Sequence, residues 1–330
     1  MADTIDVVGI GNAIVDVISR TDDAFLKKHA MDKGAMILID ADQAETIYAQ
    51  MGPGVESSGG SAANTIAGIA SLGGACGFIG KVRDDQLGNV FTHDIRSLGA
   101  EFTTPAATDG PPTARCLVLV TPDGQRTMNT FLGACQGLGP DDVEEAMLKR
   151  AKIVYMEGYL WDPPAAKDAF VKAMDITRKN GGKAAFTLSD SFCVDRYRSE
   201  FQALLNDGKI DILFANEAEL KSLYETDDFD AAVEQVAAKV EVAVCTRSEK
   251  GGTLARGSER VHVPAEPTTV EDTTGAGDLY AAGVLTGLSR GLSLEAAGRM
   301  GAIAAAEVIS HLGPRPEHDL KKLVAQKISA

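Results

Sequence analysis

Short, wholly apolar runs alternate along this chain with longer stretches in which apolar residues recur every three or four positions. The first pattern reads as strands buried on both faces, the second as helices packed against them. Residues 4–10 form the first run, ended by the Gly11-Asn12 turn. Further strands are expected at 75–80, 152–156, 183–188, 210–215 and 242–246. Helices are expected at 89–99, 141–150, 164–179, 196–206, 217–224 and 228–239, and another in which Ile66, Ile69 and Leu72 recur, with Ser61 as its N-cap. Gly99 and Asn180-Gly181-Gly182 are helix stops. Strands that alternate with helices imply a parallel sheet covered on both sides.

Two regions break this rhythm. Residues 13–52 mix short apolar pieces (14–18 and 36–39) with a helical patch ending near His29, and Gly52-Pro53-Gly54 closes them. Residues 115–121 and 126–130 flank Pro122-Asp123-Gly124-Gln125 and read as a hairpin. The two regions are expected to meet as a small β-rich lid formed by 13–52 and 111–135. Residues 1–12, 53–110 and 136–330 are left to a large α/β domain. A second hairpin about Gly257-Ser258 and two helices, 276–289 and 293–310, finish the pattern. Ser293 caps the last helix and Gly313-Pro314 stops it. No internal repeat is visible.

Composition narrows the classes of function. The net charge of -15 opposes association with nucleic acid or an anionic membrane. A polyanionic cosubstrate would then need local positive dipoles or a metal ion. The 5 cysteines are scattered without a CxxC pair, as expected of reduced thiols in a cytoplasm. The first residues are acidic and lack a secretory pattern, so a cytoplasmic location is expected. Residues 57–80 carry no charge, but their glycines and polar residues argue for loop, helix and strand rather than a membrane span.

The densest chemistry lies in Asp272-Thr273-Thr274-Gly275-Ala276-Gly277-Asp278, just before the Ala- and Gly-rich helix. Amides unshielded by side chains at a helix N-terminus make an anion site. A carboxylate in the first turn, Asp278, adds a proton acceptor beside it, which phosphoryl transfer to a hydroxyl requires. The alternative is an ordinary glycine turn with an acidic first-turn residue. Asn216 and Glu219 follow a strand end, where polar groups line the crevice of an open α/β sheet; they read either as a Mg²⁺-water shell or as a helix N-cap. No Walker A sequence, protein-kinase set, Gly-x-Ser-x-Gly elbow or His-based metal spacing occurs in the chain.

Two separate motifs in the right order, Gly59-Gly60-Ser61-Ala62-Ala63-Asn64 and Asp272 through Asp278, make the chain resemble the ribokinase-like (PfkB) family of carbohydrate and nucleoside kinases over nearly its whole length. The resemblance implies an αβα sandwich with a mostly parallel central sheet and the β lid. It implies that Asp278 is the general base, that Gly275, Ala276 and Gly277 supply the anion hole, and that Arg126 closes on the phosphates. ATP would lie by Asn216, Glu219, Thr246, Arg247, Gly251, Gly275 and Gly277, with Asn216 and Glu219 organising Mg²⁺ through water. A K⁺ requirement is a family option that the sequence leaves open.

Gly11-Asn12-Ala13-Ile14-Val15-Asp16, with Asn and Asp four apart, is similar to the adenosine kinase branch of that family. The resemblance implies that Asn12, Asp16, Gly60, Ser61 and Asn64 hold a ribose, and that Leu38, Met128 and Tyr159 wall a base pocket. The expected reaction is phosphorylation of the 5′-hydroxyl of adenosine to AMP. The alternative is a sugar kinase acting on ribose or a fructose-like hexose. The expected partners are small molecules only, and the chain a monomer or homodimer.

Overall fold

The computed structural model describes residues 3–328, so residues 1, 2, 329 and 330 of the expected segments lie outside it. Its first half holds strands β1 (Ile5–Ile10), β2 (Ile14–Arg20), β3 (Met36–Leu38), β4 (Gly54–Gly59), β5 (Cys76–Ile79), β6 (Ala114–Val120) and β7 (Arg126–Phe131), with helices α1 (Asp23–Lys28), α2 (Ala41–Tyr48), α3 (Ser61–Ser71) and α4 (Gln86–Ser97). The second half adds β8 (Ala151–Glu157), β9 (Lys183–Thr187), β10 (Ile212–Asn216), β11 (Val242–Thr246), β12 (Gly252–Arg256) and β13 (Glu259–Val263). Its helices are α5 (Glu145–Leu148), α6 (Pro164–Lys179), α7 (Ser191–Asn206), α8 (Glu217–Tyr224), α9 (Phe229–Ala237), α10 (Ala276–Ser289), α11 (Leu294–Val308) and α12 (Leu320–Ile328).

Eight strands form the large sheet in the order β13-β12-β11-β10-β9-β8-β1-β5, parallel except at the β12 and β13 edge. Alternate residues of each central strand serve opposite faces, as the two-residue strand period requires. Ile153 and Tyr155 join one apolar cluster with α3, α10 and α11, while Val154 and Met156 join another with α6 to α9. Such two-sided burial is why these strands are apolar without alternation. Residues 279–287 of α10 are all buried, which accounts for its small, apolar composition.

The second sheet runs β3-β7-β6-β2-β4, so both regions that break the βα rhythm do meet in one sheet. The segment also extends further than 13–52. Gly54–Gly59 was expected to be loop, yet β4 pairs antiparallel with β2, from Ser19↔Gly54 to Ile14↔Gly59. Its Gly-rich, half-exposed sequence hides an edge strand whose partner is distant.

Three other expectations need correction. The helix expected at 141–150 shrinks to α5, after a 3₁₀ turn at Pro140–Asp142. Residues 13–52 contain α2, held by a reciprocal cap between Asp40 and Gln43. Finally, α12 follows the two helices expected to finish the chain.

Candidate active site

The C-terminal ends of the parallel strands share one edge of the large sheet, where ligands of open α/β sheets bind. The small sheet stands over it, joined there by an ion pair between Arg126 on β7 and Asp272. Asp278 occupies the first turn of α10. Gly275, the N-cap of that helix, has φ 80 and ψ −1, a left-handed conformation that costs glycine little, and no side chain caps the helix. The Ala276 amide donates to Thr273 O at 3.2 Å, whereas those of Gly275 and Gly277 have no acceptor among the described residues. Open space lies beside the Gly277 Cα. Uncapped amides of this kind, backed by the helix dipole, form an anion cradle.

The Asp278 carboxylate is half-buried, and both of its oxygens are held from α3. Ser61 Oγ donates to Oδ1 at 2.6 Å and Asn64 Nδ2 to Oδ2 at 2.9 Å. Withdrawal from water pushes this carboxyl above its usual range, while the two donors and Arg315 pull it back. Ser61 is therefore not the helix cap. That position belongs to Gly60, with φ 99 and ψ 145, where a Cβ would lie 2.2 Å from Asn12 O. The bare cap turns Ser61 and Asn64 toward α10.

Glu157, fully buried at the end of β8, was not singled out in the sequence. Its Oε2 accepts from Ala62 N (2.6 Å), capping α3 from 95 residues away, and its Oε1 accepts from Asn12 N (2.8 Å) and Asn12 Nδ2 (2.7 Å). Burial raises its pKa to about 7, against the pull of these donors. Cys135 Sγ donates to Asn12 Oδ1 at 2.9 Å. Both polar ends of the Asn12 side chain are thus engaged within the protein, and Asn12 serves here as a buried link between β1 and β8.

Asp16 lies half-buried on β2, on the face of the small sheet that also carries Ile14, Cys116 and Val118. Burial pushes it up to about 6, with Arg315 and Arg126 drawing it down and Asp278 adding to the rise. Arg126 Nη1 is 2.7 Å from Asp272 Oδ2, and Arg126 Nε and Nη2 are buried without a hydrogen-bond partner. Two unmatched donors beside the anion cradle suit phosphate oxygens.

On the other side of the sheet edge, Asn216 and Thr246 are register partners at the ends of β10 and β11. Asn216 Oδ1 accepts from Glu219 N (2.9 Å), while the Glu219 carboxylate accepts from Asn216 N (2.9 Å) and Asn216 Nδ2 (2.5 Å). This is a full capping box. Glu219 is buried and pushed up to about 7. Arg247 stacks 4.4 Å over the Phe229 ring and reaches Glu217, and Gly251 sits in a tight turn against Val263 O. Among the described residues no cluster of three or more His, Cys, Asp or Glu side chains could hold a metal alone.

The expected base pocket is dispersed. Leu38 is 63 % exposed on edge strand β3 and pairs with Thr130 of β7, whereas half-buried Met128 pairs with Met36. Tyr159 donates its hydroxyl to Ser189 O at 3.2 Å and lies within electrostatic reach of Asp278 and Glu219, between the two halves of the site. Two surface cavities, of about 620 and 280 Å³, are lined by residues of β4 and α4 and by residues of the small sheet and α2; neither includes Asp278 or the glycine turn.

Comparison with known proteins agrees with this geometry. A model described as pfkB family carbohydrate kinase matches residues 33–320. An adenosine kinase from Sinorhizobium meliloti is 54% identical, with TM-score 0.90, over 99% of this chain and 100% of that one. A probable sugar kinase protein from Rhizobium etli is 50% identical, with TM-score 0.91, over the same shares. The adenosine kinase of Saccharomyces cerevisiae is 25% identical over 94% of this chain and 96% of its own length. The chain belongs to the PfkB family of carbohydrate kinases and is an ATP-dependent phosphotransferase acting on a hydroxyl.

Proposed function

We propose that the acceptor is adenosine and that the product of transfer to its 5′-hydroxyl is AMP. The observation that carries the reading is the Asp278 carboxylate, held by Ser61 and Asn64 at the uncapped start of α10, the turn to which Arg126 is tied through Asp272. Acceptor identity draws on the Gly11 to Asp16 segment and on the 54% identity to the Sinorhizobium meliloti adenosine kinase.

In this mechanism Asp278 takes the proton of the acceptor hydroxyl as its oxygen bonds to the terminal phosphorus. The bond from that phosphorus to the bridging oxygen breaks, and ADP leaves. The Gly275 and Gly277 amides and Arg126 Nε and Nη2 stabilise charge on the equatorial oxygens. Asp16, Gly60, Ser61 and Asn64 orient the ribose, with Asn12 acting through Glu157. ATP lies along Thr246, Arg247 and Gly251. Kinases of this family typically use Mg²⁺, which supplies charge neutralisation on the polyphosphate; Asn216 and Glu219 would hold it through water.

A sugar kinase is the second reading. It is favoured by the Rhizobium etli relative and by the internal engagement of Asn12 and Tyr159. Purified protein given MgATP with adenosine, ribose or fructose, with ADP release followed, decides between them. Adenosine turnover yielding AMP is expected; turnover of ribose without adenosine overturns the proposal.

A further inference from the structure

Arg315 lies in the turn after α11, outside both motifs that carry the family resemblance. Three consecutive residues of this turn touch separate parts of the site. Gly313 N donates to Asp272 Oδ2 at 3.0 Å, and Pro314 packs so closely on Gly275 that a Cβ there would meet its Cα at 2.9 Å. The Arg315 guanidinium then spreads across the strand-to-helix turn between β4 and α3. Its Nε donates to Ser58 O at 3.0 Å, its Nη2 to Ser58 Oγ at 2.8 Å and also to Ser58 O, and its Nη1 to Ala63 O at 2.8 Å. Ser58 is anchored from behind, donating to Asp94 Oδ2 through N (2.8 Å) and Oγ (2.5 Å). Ser58 and Ala63 bracket Gly59, Gly60 and Ser61, and Asn64 comes next. One planar fork thus fixes both ends of the segment that holds the Asp278 carboxylate.

We propose that Arg315 is a positioning residue for phosphoryl transfer: its fork sets Ser61 and Asn64 against Asp278, and its charge lets Asp16 and Asp278 stay ionised together. The proposal rests on the kinase reading and not on which acceptor is used. Two carboxylates withdrawn from water in one site repel, and without a cation one of them takes up a proton. The groups facing this pair are Arg315, Arg126 on β7, Cys116 on β6, Tyr155 and Glu157 on β8, and Tyr159 just after it, while Asp94 on α4 faces Arg315. Arg126 pairs with Asp272 and draws on Asp16 as well, whereas Arg315 is the cation that acts on both Asp16 and Asp278. A lysine carries the charge but not the fork.

The test uses the full chain. The pH dependence of kcat/KM for the acceptor is compared for wild type, R315Q and R315K, and ¹³C NMR follows the Asp278 carboxyl, assigned with D278N, in ligand-free protein. R315Q is expected to move the acid limb of the profile and the carboxyl titration upward by roughly one pH unit. R315K is expected to keep the wild-type limb with kcat several-fold lower, and it decides the matter if R315Q does not fold. A folded R315Q with unmoved limb and titration overturns the charge role, and R315K turning over like wild type overturns the fork role. Wild type that phosphorylates no hydroxyl acceptor would overturn the kinase reading, and the NMR titration would still judge Arg315.

Discussion

Arg126 Nη1 lies 2.7 Å from Asp272 Oδ2, with both side chains more than nine-tenths buried, and this ion pair ties the small sheet to the turn that opens α10. Asp272 also accepts from Thr274 N (3.1 Å), Thr274 Oγ (2.8 Å) and Gly313 N (3.0 Å), so it keeps partners if the arginine is lost. R126Q should therefore cost about 1–3 kcal/mol of stability rather than unfold the chain. Turnover should fall by on the order of 10²–10³, the effect of removing a transition-state donor. R126K should recover stability, read as a urea midpoint, but not turnover, because an ammonium cannot replace Nε and Nη2. Full recovery of turnover in R126K would remove Arg126 from the chemistry.

Ser61 and Asn64 both donate to the Asp278 carboxylate, one to each oxygen. D278N keeps the size of the side chain and removes its basicity, so kcat should drop by on the order of 10²–10⁴ with a nearly unchanged melting temperature. A base must be ionised, and burial raises this carboxyl, so turnover should fall as pH drops through that raised value. N64A removes a donor that favours the ionised form and should shift the acid limb to higher pH. A D278N enzyme turning over at near wild-type rate would refute the assignment.

Local pattern made much of this fold legible. Helix α6 and strand β11 fall where periodicity puts them, because α6 buries one stripe and β11 is apolar throughout. Strand β4 was hidden because Gly-Val-Glu-Ser-Ser-Gly has neither alternation nor bulk; only its distant partner β2 makes it a strand. The placing of Gly275 and Asp278 at the start of α10 was readable because turn and helix chemistry is local, whereas Asn64 was singled out by the family resemblance and not as a partner of Asp278. Glu157 and Arg315 were not readable, since each acts on α3 from a place remote in sequence, 95 residues away for Glu157 and 252 for Arg315. The Asn216 to Glu219 spacing by itself favoured a cap over a metal shell, and the geometry is that of a cap.

Glu157 gives a pH signature in stability. Its folded value of about 7 stands above the 4.5 of a free glutamate side chain, so the native chain binds the proton more tightly than the unfolded one. The resulting stabilisation is complete below pH 4.5 and is lost as pH rises through about 7. At about 1.4 kcal/mol per pH unit, the loss amounts to roughly 3 kcal/mol at most. Urea midpoints at pH 5 and pH 8 should therefore differ in wild type, and much of that difference should vanish in E157Q. Equal pH slopes in the two proteins would show that the Glu157 proton is not linked to folding.

The last prediction separates the two uses of Glu219. As a capping partner it needs an acceptor for the Asn216 backbone N–H, which the single carbonyl oxygen of glutamine supplies, while the second bond, from Asn216 Nδ2, is given up. As an outer-sphere partner of Mg²⁺ it needs charge, which glutamine lacks. E219Q should thus stay within about 1 kcal/mol of wild-type stability, the scale on which caps act. The Mg²⁺ concentration giving half-maximal turnover at fixed ATP should rise several-fold. N216A provides the contrast, since it removes the cap itself and should cost about 1–2 kcal/mol. An E219Q enzyme with wild-type Mg²⁺ dependence would leave Glu219 a helix cap and nothing more, because its carboxylate, turned onto Asn216 at 2.9 and 2.5 Å, would then meet no need beyond that helix.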